Sequence, residues 1–193
     1  MKIIEITLQG VTPLLINRFS DESEIPAKVS RGKKDYGTPR IQAEKTAYFD
    51  KDSTLLWIPS SWITGAINAI SSDYKLTGSR KSLKSVIGGA VVPLEEKIYF
   101  QEKYKLKNIE IDSRPVVIQR ARIMRHRTRL EKWNLAFCLE IDEGILPVDQ
   151  FHQIIVDAGR RAGLGDYRPP KGGPFGKFIV SRFHEIKGKD KHK

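Results

Sequence analysis

Between Arg114 and Arg129 the chain reads RPVVIQRARIMRHRTR, with six arginines, one histidine and no acid in sixteen residues. Arginine holds its charge at any physiological pH, and its planar fork donates paired hydrogen bonds to phosphate oxygens. A run of this kind is chemistry for a polyanion. A second basic stretch, AGRRAGLGDYRPPKGGPFGKF, spans Ala158 to Phe178 and holds six of the fifteen glycines and five Lys/Arg against one acid, Asp166. Glycine lets one backbone approach another, or a phosphate, closely. The candidate binding residues are therefore Arg114, Arg120, Arg122, Arg125, His126, Arg127 and Arg129 in the first run. Arg160, Arg161, Arg168, Lys171 and Lys177 join them from the second.

Other chemistries fail on spacing. GLGDYR begins like the dinucleotide fingerprint, but Arg168 stands where the third glycine belongs and no strand–helix–strand unit follows. GGPFGKF lacks the first glycine of a nucleotide P-loop and has Phe178 where a Ser/Thr would bind magnesium. One cysteine, Cys138, and four scattered histidines supply no zinc spacing. No Ser-His-Asp set is legible, and His126 reads as a contact residue rather than a base. No catalytic residue, metal or cofactor is expected.

Composition agrees with the polyanion reading. The formal charge is +11 in 193 residues, with 39% hydrophobic and 30% charged residues. That balance suits one globular domain whose surplus charge favours nucleic acid. No apolar run approaches the ~20 residues of a membrane span, and MKIIEITLQG does not read as a signal peptide. The lone Cys138 suits a reducing compartment and an unremarkable buried position. A soluble cytoplasmic protein is the expectation.

Several elements must position these residues. Ile4, Ile6 and Leu8 alternate with Glu5, Thr7 and Gln9, a half-buried strand. The stretch from Ser20 to Pro39 is polar and aperiodic, an insertion placed within 17–50, where RIQAEKTAYFD can make a short helix. STLLWIPSS gives a short strand. SSWITGAINAI opens a helix, capped by Ser60 or Ser61, with Ile63, Ile67 and Ile70 on one face. VVPLEEKIYF reads as one strand at an edge or bulge, RPVVIQRARI as another, and WNLAFCLEI as a third with Trp133 in the core. LPVDQFHQIIVDAGR carries Phe151, Ile154, Ile155 and Ala158 at helical spacing, with Gly159 near C′. FGKFIVSRF closes the fold as a strand, and 187–193 is a basic disordered tail. The fold class is α+β, a ferredoxin-like or RRM-like βαββαβ antiparallel sheet with loop insertions.

Period-two geometry puts Arg114, Arg120 and Arg122 opposite Val117, Ala121 and Ile123. The same register would bury Arg125, Arg127 and Arg129, so the strand is expected to bulge or leave the sheet near Met124. MRHRTRLEK then becomes a protruding hairpin end gripping phosphate, unless acids such as those at residues 21–23 neutralise it. The glycine run has two compatible uses: tight turns that pack a helix on the sheet, and free amides that approach phosphate.

ITLQGVTPLLIN, WIPSSWITGAINAI and GLGDYRPPKGGPFGKF together resemble the opening strand, the entry to the first helix and the C-terminal glycine-rich loop of the RAMP superfamily of CRISPR-associated RNA-binding proteins. Within it the chain is most similar to the backbone subunits that polymerise along a guide RNA, or to a phage or mobile-element relative. The resemblance implies a single domain over residues 1–186, RNA binding, homo-oligomerisation along the strand, and contacts with other effector subunits. Superfamily nucleases use an early histidine or a loop aspartate. Here the first histidine is His126, and Asp21 or Asp35 would be the loop aspartate. Tyr167, Phe175 or Trp133 are candidates to stack on bases. The alternatives are a RAMP-type endoribonuclease, a phage single-stranded DNA-binding protein, and a scaffold whose basic face docks an acidic protein.

Overall fold

A computed structural model of the chain describes residues 1–18, 38–50, 55–118 and 121–186. The expected tail, the loop aspartates Asp21 and Asp35 and most of the polar insertion lie outside those residues. So does Arg120.

The first strand, β1 (Lys2–Gly10), buries Ile4, Ile6 and Leu8 completely, as its alternation requires. A short β2 (Leu14–Ile16) follows, then α1 (Pro39–Lys45), whose N-cap Thr38 accepts the Ile41 amide. Next come β3 (Trp57–Pro59) and α2 (Ser61–Ser71). Ser60 is the N-cap residue of α2, but its side chain makes no capping hydrogen bond. A four-residue α3 (Ile87–Ala90) leads into β4 (Val91–Pro93), and β5 is Lys97–Tyr99. VVPLEEKIYF is thus two strands rather than one, and they join different sheets. The hairpin β6 (Glu110–Ile118) and β7 (Ala121–Leu130) precedes β8 (Asn134–Ile141), α4 (Val148–Asp157) and β9 (Phe178–Ile186).

The architecture is α+β. An antiparallel four-stranded sheet runs in the order β4-β8-β1-β9. Leu135, Phe137, Leu139 and Ile141 of β8 join the β1 side chains on one face. There Ile63, Ile67 and Ile70 of α2 and Phe151, Ile154 and Ile155 of α4 cover them. Each such side chain contributes roughly 1.5–3 kcal/mol of hydrophobic stabilisation. Trp133 is also core, its Nε1 donating to Thr12 O at 2.9 Å. Cys138 departs from expectation: the alternation of β8 turns it to the opposite face, where it is half-buried. Partial burial, with Glu95 and Glu5 nearby, pushes its thiol pKa up.

α4 does not stop at Gly159. It runs on through a π-helical turn, Ala158–Ala162, and ends at Gly163 with φ +66°. Gly159 serves a different need, since a Cβ there would lie 2.2 Å from the Phe178 carbonyl oxygen. Glycine therefore lets β9 approach the helix. A second sheet, β2-β7-β6, lies against α1, and a small third one pairs β3 with β5. No helix among the described residues is long and apolar enough to cross a membrane.

Candidate functional site

The basic run is an antiparallel hairpin that reverses between Ile118 and Ala121, not beyond Met124. β7 continues through Met124 to Leu130 without leaving its sheet. The pairing sets Arg114 opposite Arg125, Asp112 opposite Arg127 and Glu110 opposite Arg129, all on one face. Val117 and Arg122, Pro115 and Met124, and Ser113 and His126 share the other face. Arg114 and Arg122 therefore point to opposite sides, contrary to the single-strand register.

Burial of Arg127 is tolerated because acids meet it. Only 7% of Arg127 is exposed, and its Nε lies 2.7 Å from Asp166 Oδ2, while Nη1 is 3.8 Å from Asp112 Oδ2. The 2.7 Å approach is an ion pair out of line for a hydrogen bond. Asp166 Oδ2 also accepts from Asn17 Nδ2 at 3.0 Å. Asp112 Oδ1 takes Arg114 Nε at 2.7 Å. Arg129 reaches Glu131 at 2.6 Å and Glu110 at 3.9 Å. On the other face Thr128 is buried under α1, donating from its backbone to Thr46 Oγ1 and from Oγ1 to Ala43 O.

The glycine-rich loop docks on the arginine face. Asp166 belongs to that loop, and its amide donates to Leu15 O of β2. Arg114 lies 4.7 Å from the Phe175 ring centroid and 5.8 Å from that of Tyr167, the cation–π range. Tyr167 holds φ +48°, an uncommon backbone for a non-glycine residue, with its amide on Asp166 Oδ1. The loop amides are largely engaged rather than open to a ligand. Leu164 donates to Gly176 O, Gly176 to Pro13 O, Gly173 to Arg168 O and Lys177 to Thr12 Oγ1. Phe175 is buried, which removes it, like Trp133, from stacking on bases.

The two motifs thus pack together as one candidate site, but not all twelve residues belong to it. Arg114, Arg125, Arg127 and Arg129 share its face, and Arg168 sits in the loop with Nη1 on Gly165 O at 3.0 Å. Lys171 is exposed on the same loop and Lys177 is half-buried where the loop meets β1. Arg122 and His126 occupy the hairpin's other face, His126 Nδ1 lying 2.7 Å from Ser113 Oγ. Arg160 and Arg161 project from the π-helical turn, where Arg161 pairs with Asp73 at 2.6 Å. Asp112, Asp166 and Asn17 were not singled out by sequence. Pairing Ile118 with Ala121 would have brought Asp112 opposite Arg127, so the missing signal was the register. Separately, an open groove of about 510 Å³ lies between α2 and α3–β4, lined by polar residues such as Thr64, Asn68 and Lys84 and by apolar ones such as Ile67, Ile87 and Val92. No group of His, Cys, Asp and Glu among the described residues has the geometry of a metal site. The chain matches no protein-family model and no curated protein sequence.

Proposed function

We propose that the chain binds single-stranded nucleic acid, RNA first, as a RAMP-type backbone subunit on a ferredoxin-like fold that assembles along the strand. The strand order β4-β8-β1-β9, with α2 before β4 and α4 before β9, supports the fold reading. The observation that carries the binding reading is the cross-strand pair Arg114–Arg125. Like charges directly opposite on a sheet are destabilising. Asp112 is shared between Arg114 and Arg127, so the pair keeps a net positive charge with aromatic rings behind it. A phosphate bridging the two forks supplies the missing counter-charge. Exposed Lys171, on the loop that docks against the pair, extends the positive surface.

Anisotropy titrations with labelled single-stranded RNA and DNA at 50 and 200 mM salt test this. Affinity is expected to fall steeply with salt, with a slope of roughly −0.7 for each phosphate neutralised. Arg125→Ala should make that slope shallower by about 0.7 while the fold is retained. Binding that ignored salt, or a variant with an unchanged slope, would sink the proposal.

A further inference from the structure

We infer that the outer face of the small β3–β5 sheet is a stacking platform for nucleobases. It is a second contact for the strand that the arginine face grips, and it rests on the nucleic-acid reading above.

Trp57 and Tyr99 are directly opposite in register and share one face, whereas Ile58 and Ile98 turn inward and are buried. Tyr48 joins the outer pair, its ring 4.9 Å from that of Trp57, and Trp62 meets Tyr48 edge-on at 5.9 Å. Tyr48 and Trp62 also pack on the core, but Trp57 is not among the side chains that do. Trp57 and Tyr99, on the solvent side of the sheet, are not part of the core packing and suit a flat, apolar ligand.

Two further observations select a base. Arg18 lies 5.6 Å over Tyr48 with no acidic partner among the described residues, and Lys97 lies 4.9 Å over Trp57. Asp50 neutralises Lys97 at 2.8 Å, so Arg18 brings the available charge for a phosphate. The platform also connects to the arginine face. Asn17 binds Asp166, and the next residue, Arg18, donates its amide to Thr46 O. The hydroxyl of Thr46 receives the β7 amide of Thr128. Backbone phosphates on the hairpin and bases on the platform are the two halves of single-strand recognition.

The test uses the full chain with two oligonucleotides of equal length and charge, one oligouridylate and one wholly abasic. Anisotropy and tryptophan fluorescence are followed together, Trp133 being buried and so a silent reference. The base-bearing strand is expected to bind roughly tenfold more tightly and to quench fluorescence, a difference typical of one stacked base. Trp57→Ala should erase the difference without changing the salt slope. Tyr99→Ala, at a more exposed position, should do the same where Trp57→Ala perturbs folding. Equal, salt-dependent affinity for both strands overturns the platform and leaves the arginine interface standing. A base preference that survives both substitutions also overturns it. No binding by either strand overturns both readings.

Discussion

Arg127 lies between two carboxylates, and its removal would leave Asp112 buried beside Arg114 alone and Asp166 held only by Asn17 and the Tyr167 amide. Breaking a buried ion pair by deleting one partner costs about 3–5 kcal/mol, because the orphaned charge stays desolvated. Asp166 is partly exposed, which puts the expected loss for Arg127→Ala at the lower end, about 3 kcal/mol. Urea unfolding checks this against Arg122→Ala, which should leave the midpoint unchanged because Arg122 is exposed. Equal losses in the two variants would contradict the buried cluster. From sequence, Arg127 was legible as a basic residue with nowhere comfortable to go. The acids that accept it were not, since Asp112 lies before the run and Asp166 lies 39 residues beyond Arg127. Cross-strand neighbours require a register, and no glycine or proline between Ile118 and Ala121 marks one in the sequence.

The glycine-rich loop is a packed element first, and a binding one only on the proposed reading. A Cβ on Gly176 would fall 1.9 Å from Leu164 O, at φ +73°, and one on Gly165 would fall 2.4 Å from Leu15 O. Gly65 in α2 has nothing within 4 Å of its would-be Cβ. Two substitutions with the same chemistry therefore have opposite signs. Gly176→Ala should destabilise by more than 1 kcal/mol, roughly, through strain and clash. Gly65→Ala should stabilise by about 0.5–1 kcal/mol, the ordinary gain in a helix interior. Paired thermal melts read both, and two shifts of the same sign would refute the assignment. The elements carrying a strong period were legible: β1, β8, α2 and the body of α4 all follow their apolar spacing. The short strands were less so, because VVPLEEKIYF is too brief for its pattern to reveal a sheet change at Leu94–Glu96. The end of α4 was displaced because Gly159 answers to a carbonyl in β9, a contact 19 residues distant.

At the scale of the molecule, the chain carries a net charge of +11. Part of the basic content is paired internally, in Arg127 with Asp166, Arg161 with Asp73, Arg182 with Glu5 and Lys2 with Glu143 and Glu185. On the proposed reading, what remains exposed on the hairpin and the loop is the fraction that meets the nucleic acid. One consequence of the main sheet concerns the order of synthesis. β1 pairs along its length with β9, Ile3 standing opposite Ile186. β9 is made after every other described element, so the growing chain carries β1 with one edge unsatisfied until translation has passed it. An unpaired edge is a template for another chain, and closing a contact of such sequence separation is slow. A chain ended after Lys177 should consequently self-associate in light scattering, and a synthetic peptide spanning residues 178–186 should suppress that association. If the shortened chain stays monomeric, the last strand is an ornament of the sheet rather than its closure.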